Sequence, residues 1–307
     1  MSLLIRKEGI FTTVQGLGKH GRQCFGINPK GTMDRTATRL INLILGNDDA
    51  EYVIEMHFPA SEIVFEEACM FALGGADFHA SLDGAYVENW QCLRARKASV
   101  LKFDQKLRGN RCYLAVEGGF KIAPSTDSEF GDRRLRKGDR LDYAEPKNTV
   151  TGLRVANSML LIYSSFPTVR IVAGGEFDFL TATDQQALVE ENFVITNDSN
   201  RMGFRLIGPA FSPNKIAEMV SAAVSFGTIQ LLPDGQLIIL MADHQTSGGY
   251  PRIANVISVD LPLLAQLGPK DKVAFKMVEI AEAERVSMKF ERDLQLLRIG
   301  CRFGRYW

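Results

Sequence analysis

Runs of apolar or alternating residues in this chain stop after a few positions, and most stops are Gly, Asp or Asn. Residues 61–67, 69–75, 78–84, 99–105 and 110–119 all read this way. Runs so short are poor helices and good strands. Asp83-Gly84 between two alternating runs is a hairpin signal, and Gly138-Asp139 gives residues 134–143 a strand–turn–strand look. Helical spacing is confined to four places. Asp34–Leu45 has Asp34 as its cap and Gly46-Asn47 as its stop. Thr181–Phe193 offers Thr183 or Asp184 as a cap, and Leu261–Gly268 is short and closed by Gly268. A terminal amphipathic helix spaces Val286, Phe290, Leu294 and Leu297 along one face. Many short strands with few helices predict a mainly β chain of barrels or sandwiches, not an alternating βαβ fold. The apolar run before Pro167 ends there and the pattern restarts. The domains are therefore expected at 1–165 and 166–307, the second carrying the terminal helix.

Charge narrows the function classes. Thirty-six basic residues balance 36 acidic ones, which gives no reason to expect nucleic acid or an anionic membrane as partner. The N-terminus lacks a signal-peptide pattern and no run reaches membrane-spanning length, so a cytoplasmic location is expected. Cys24, Cys69, Cys92, Cys112 and Cys301 form no C-x-x-C and are odd in number; they read as buried thiols of a reducing compartment. His20, His57, His79 and His244 show no ligand spacing with them, and no metal site is expected.

Two motif matches mislead. Gly16–Gly21 is literally G-x-G-x-x-G, but Gly26, Pro29 and Gly31 follow where a dinucleotide site needs a helix to open. Met288-Lys289 faintly resembles a biotin-carrier hairpin, yet it lacks the second Met and lies in a charged helical pattern.

Three polar clusters remain. Thr12–Asp34 is glycine-rich, with Lys19, His20, Arg22 and Lys30; it suits an anionic ligand or is a long ordered loop. Asn197–Gly208 brings Arg201 and Arg205 onto one stretch. They form either a guanidinium pair for carboxylate or phosphate, or two surface arginines on a strand. Ala242–Pro251 packs Asp243, His244, Gln245, Thr246 and Ser247 before Gly248, Gly249 and Tyr250. It reads as a solvated hairpin or the lip of a site, with Asp243 as general base or orienting group and glycine amides facing an oxyanion.

Together these clusters resemble the allophanate hydrolase subunit 2 family, also called biotin-dependent carboxyltransferase-like, which includes the C subunit of bacterial 5-oxoprolinase. The residues that carry the resemblance are Thr12–Gly21, Phe25–Asp34, the Arg39–Asn47 helix, Leu73–Asp77, Ser199–Pro209 and nearly all of Gly227–Val273. The resemblance implies two tandem cyclophilin-like β-barrel domains. It implies a partner, a homologue of subunit 1 or of the 5-oxoprolinase B subunit, joined in the bacterial enzyme by the A subunit. The activity implied is ATP-dependent opening of the 5-oxoproline lactam to L-glutamate, with ATP, and magnesium, entering at the level of the complex and no biotin attached to this chain. The alternatives are biotin-dependent carboxyl transfer to urea or a similar amide, and a non-catalytic regulatory partner of a subunit 1 homologue. Asp243, Gln245, Thr246 and Tyr250 become the expected catalytic group. Arg201, Arg205, Asn200, Gly248, Gly249, Gln15, Gly18, Arg22 and Asp34 become the expected substrate contacts. The chain departs from the family at Gly16, where an acid is usual, at Lys30, and in a shortened loop after Ile122 that keeps only Ser125-Thr126.

Overall fold

Asp83-Gly84 does turn a hairpin: strands Ala80–Leu82 and Ala85–Tyr86 pair across it, and both turn residues have positive φ, 53° and 84°. That is the turn whose twist matches paired strands. The fold around it is seen in a computed structural model that describes residues 1–19, 21–122, 134–145, 152–212 and 219–303. The loop bearing Ser125 and Thr126 lies outside the described residues, as does His20.

The mainly β expectation holds. Strands dominate two units, and neither unit is one continuous piece. The first comprises Met1–Leu17, Asp34–Ile162 and the chain from Glu291 onward; the second comprises Gly18–Met33 and Tyr163–Phe290. A single cut at residue 165 therefore misses two exchanges, each with a local cause. Met33 is fully buried and belongs to the same apolar core as Val169, Ile171 and Phe204. Glu291 takes both terminal nitrogens of Arg39, at 2.5 and 2.8 Å, and Arg39 stands on the helix Arg35–Leu45.

Among the described residues the first unit has a six-stranded and a five-stranded sheet. Leu3, Ile5, Ile63 and Phe65 from one share a core with Ile54, Met56, Phe71 and Leu114 from the other. Some alternate residues of the five-stranded sheet are polar and still buried. Thr13, Glu55 and Tyr113 stand in register across three neighbouring strands, at 1%, 0% and 0% exposure. The helix Arg35–Leu45 begins where Asp34 accepts from the Ala37 amide at 2.8 Å, and it stops at Gly46 as its sequence predicts.

The second unit is a closed barrel of strands Thr168–Ala173, Arg252–Val256, Thr228–Leu231, Leu237–Leu240, Gly203–Ile207, Asn192–Ile195 and Lys272–Met277, taken in order around the wall. The first and last of these close it by pairing in parallel. Helix Ala182–Glu190 is capped by Thr181, not by Thr183 or Asp184. Thr181 and Asp184 form a reciprocal capping box, which sets the start earlier than expected. Helix Leu261–Ala265 ends before Gly268. The terminal helix spans Ile280–Phe303 and passes from the second unit to the first at Glu291; Val286 and Phe290 are half-buried, Leu294 is buried and Leu297 is half-buried. Among the described residues no helix is long and apolar enough to cross a membrane.

Candidate functional site

Ala242–Pro251 is not a hairpin. Its flanking strands, Leu237–Leu240 and Arg252–Val256, do not pair with each other. Both pair antiparallel with Thr228–Leu231, which lies between them. They therefore run parallel, and the connecting loop travels back along the middle strand. Alternation sends Ile229 and Leu231 into the core, so Thr228 and Gln230 take the outer side. On its return the loop pairs Ser247–Gly248 with Ala222–Ala223 as a short ribbon. A run of polar residues and glycines marks a loop in sequence without saying which strands it joins.

Arg201 latches the start of this loop. Its Nε and Nη2 donate to the two carboxylate oxygens of Asp243 at 2.7 and 3.0 Å, and its carbonyl accepts from the Asp243 amide at 2.9 Å. The same Nη2 reaches the Gly31 carbonyl at 2.5 Å, and Asn28 Nδ2 donates to the Asp243 carbonyl at 3.3 Å. Planar guanidinium geometry favours such two-pronged contact with a carboxylate. The segment Gly18–Met33 is thus drawn to the place where Arg201 and Asp243 meet, so this part of the first polar cluster touches the other two through Asn28 and Gly31. That segment closes on itself: the Lys19 amide donates to the Pro29 carbonyl at 2.9 Å, and Gly18 has φ 90°. A Cβ on Gly18 would lie 2.4 Å from the Lys30 carbonyl oxygen, so no side chain fits.

The far end is braced by residues whose sequence signal is faint. Gln230, a single carboxamide in an apolar strand, donates from Nε2 to the Tyr250 carbonyl at 3.2 Å. Arg252 places Nε and Nη2 on Glu176 at 2.9 and 2.7 Å and Nη1 on the Ala223 carbonyl at 3.0 Å, under the ribbon. The Arg252 hydrogen bonds hold the Glu176 carboxyl below the ordinary glutamate range, and Glu176 in turn raises Arg252. Between the two braces, Gln245 and Thr246 are half-buried, Gly249 is exposed and Tyr250 is 44% exposed. His244 is buried, its Nδ1 against the Gln245 carbonyl.

Other expected contacts stand elsewhere. Arg205 lies on the outer side of its strand and is exposed, while the Arg201 guanidinium is engaged with Asp243 and Gly31. The two arginines are used separately, because Arg201 precedes the strand and turns to the loop. Asn200 is exposed and accepts from the Met202 amide at 2.7 Å, a turn contact. Arg22 is exposed and heads a 3-10 turn at Gln23–Phe25. Gln15 and Asp34 belong to the first unit and are 2% and 0% exposed. Gln15 donates to Thr13 Oγ1 at 3.1 Å, and Asp34 is the helix cap. The thiol reading is corrected at one position: Cys24 is exposed, whereas Cys69, Cys92, Cys112 and Cys301 are buried. Burial pushes Cys69 up to about 12.

Comparison with known proteins sets this geometry in a family. Residues 25–277 match the family described as carboxyltransferase domain, subdomain A and B. The chain is 32% identical over 296 residues to the C subunit of 5-oxoprolinase from Haemophilus influenzae, covering 93% of this chain and 94% of that one. It is 32% identical over 305 residues to the C subunit of 5-oxoprolinase from Escherichia coli, covering 96% and 97%. The fold is also that of part of the K. lactis urea amidolyase crystal structure, with a TM-score of 0.89 at 21% identity, over 96% of this chain and 20% of that one.

Proposed function

Because this chain belongs to the carboxyltransferase domain family, subdomains A and B, we propose that it is the C subunit of an ATP-dependent 5-oxoprolinase. In this reading it acts with homologues of the A and B subunits to open the 5-oxoproline lactam to L-glutamate. The observation that carries the proposal is near full-length identity of 32% to two proteins that bear the name of that C subunit. ATP, with magnesium, enters at the level of the complex.

The lactam is a planar amide beside a carboxylate. Opening it requires charge to be stabilised on the N–C–O group while water or phosphate is positioned. The Asp243–Tyr250 loop offers groups for that task. Asp243, with both oxygens on Arg201, orients the loop. Gln245, Thr246 and Tyr250 supply polar atoms toward the substrate, and Gly249 supplies an accessible backbone. Arg205 and Asn200 are left as outer-surface contacts for substrate or partner. A second reading, carboxyl transfer to urea or a similar amide from a biotinylated carrier, is supported by the family description and the urea amidolyase likeness.

The test is ATP-dependent glutamate release from 5-oxoproline by the chain co-purified with its A and B partner homologues, beside Asp243→Ala. Release that falls at least about 100-fold in the variant, with assembly intact, supports the loop as part of the site. An intact wild-type complex that releases no glutamate sinks the oxoprolinase reading and transfers the weight to carboxyl transfer.

A further inference from the structure

Gln230, on the outer wall of the second unit, has an incomplete set of hydrogen bonds among the described residues. It is 1% exposed, and its Nε2 is committed to the Tyr250 carbonyl at 3.2 Å. Its Oε1 is buried and accepts no hydrogen bond among the described residues. Turning the amide over would set its oxygen against the Tyr250 carbonyl oxygen, so the donor and acceptor ends are fixed by that contact. A second carboxamide converges on the same spot. A Cβ added to Gly248 would lie 2.7 Å from Gln230 Nε2 and 3.4 Å from Gln245 Nε2. Gly248 is therefore a glycine because the returning loop lies directly on the Gln230 amide, and a side chain there would displace it.

Buried amide oxygens are almost always paired, and a native exception calls for a missing partner. The partner must be an N–H or O–H donor held between the loop and the strand Thr228–Leu231. We propose that Gln230 is a substrate-binding residue whose Oε1 accepts a hydrogen bond from the N–H of a planar amide, a lactam or a ureido group. This rests on the functional reading above and names the group that would recognise its substrate class. Admitting the ligand requires the loop to lift from the strand, and the ribbon that holds it in place is only two residues long on each side, Ala222–Ala223 with Ser247–Gly248. A site built to pair with an N–H rejects an isostere that lacks it, because the acceptor is then left buried and unpaired.

The experiment is calorimetric binding to the assembled complex. The probes are 5-oxoproline, its lactone analogue in which ring oxygen replaces N–H, and urea. Wild type is compared with Gln230→Met, which keeps the volume and removes both polar atoms. Wild type is expected to bind lactam at least about 10-fold more tightly than lactone. Gln230→Met is expected to lose that ratio. If Gln230→Met lowers the melting temperature but keeps the wild-type lactam-to-lactone ratio, Oε1 faces a structural water and the proposal is overturned. If wild type binds urea but not 5-oxoproline, and Gln230→Met abolishes urea binding, Gln230 keeps its role and the oxoprolinase reading falls. If no probe binds the wild-type complex, both are overturned.

Discussion

The two units place similar polar residues differently. In the first, Asp34, Asn42, Glu55 and Tyr113 are all 0% exposed, and Asp34, Asn42 and Tyr113 serve the backbone. Asp34 caps a helix, Tyr113 Oη accepts from the Asp34 amide at 2.9 Å, and Asn42 Nδ2 donates to the Glu51 carbonyl at 2.8 Å. In the second, Arg201, Asp243, Gln245, Thr246 and Tyr250 sit in loops outside a barrel whose interior is Ile, Leu, Val and Phe. Polar groups built into an interior are costly to change, whereas loops on a closed apolar wall are free to carry chemistry. The difference between these two sets of residues predicts different costs for mutating them.

The largest effect is expected at Asp34. Asp34→Ala removes the cap and leaves the Ala37 amide without its acceptor, while the backbone amide that donates to Tyr113 Oη is retained. A loss of about 2 kcal/mol of stability follows, read as a lower urea midpoint. A loss below about 0.5 kcal/mol would mean that the polar interior of the first unit is not structural. Arg201→Ala should behave in the opposite manner. The loop Gly18–Met33 loses a tether while the barrel core is untouched, so the effect is local opening. Trypsin should cut after Lys19, Arg22 or Lys30 at least about 10-fold faster, with a smaller midpoint shift than Asp34→Ala. Equal shifts in both variants would erase the distinction between the units.

The scaffold is legible in the sequence and the braces much less so. Short runs ending in Gly, Asp or Asn signal strands because turn chemistry is local, and Asp34 signals a cap for the same reason. Ala242–Pro251 reads as a hairpin and is not one, because pairing is not local: Thr228–Leu231 comes between the two flanking strands. Asp34 and Gln15 are expected as substrate contacts by the family resemblance, and their burial, 0% and 2% exposed, is not legible in the sequence. Glu176 and Arg252, 76 positions apart, carry no shared signal. Arg201 and Asp243 stand out singly, since both sit in loops rich in turn residues, but nothing in the sequence shows their partnership.

The Glu176–Arg252 brace gives a smaller and pH-dependent effect. Glu176 has a folded pKa below its ordinary value near 4.5, so its contribution is fully present above that pH and is lost as pH falls through the folded value. Glu176→Gln should therefore cost about 1 kcal/mol at pH 7 and progressively less below about pH 4.5. The check is a pair of urea curves at each pH; a cost that is constant down to about pH 3 would show that the brace acts through packing alone.

Cysteine reactivity tests the same contrast with almost no energetic effect. Cys69, Cys92, Cys112 and Cys301 lie in the first unit and are buried, and burial raises the Cys69 and Cys112 thiols, so both remain protonated and inert. Cys24 lies in the segment that the second unit takes from the N-terminal half, and it is exposed. Native protein should release one equivalent of chromophore from a disulfide reagent at once, and all five only after unfolding. Cys24→Ser should abolish the fast equivalent and change stability by less than about 0.5 kcal/mol. Arg201→Ala should leave the other four thiols slow, because loosening the loop does not open the first unit. Fast reaction of a second thiol in that variant would show that opening spreads beyond the loop, and that the two units do not differ in the way their polar residues suggest.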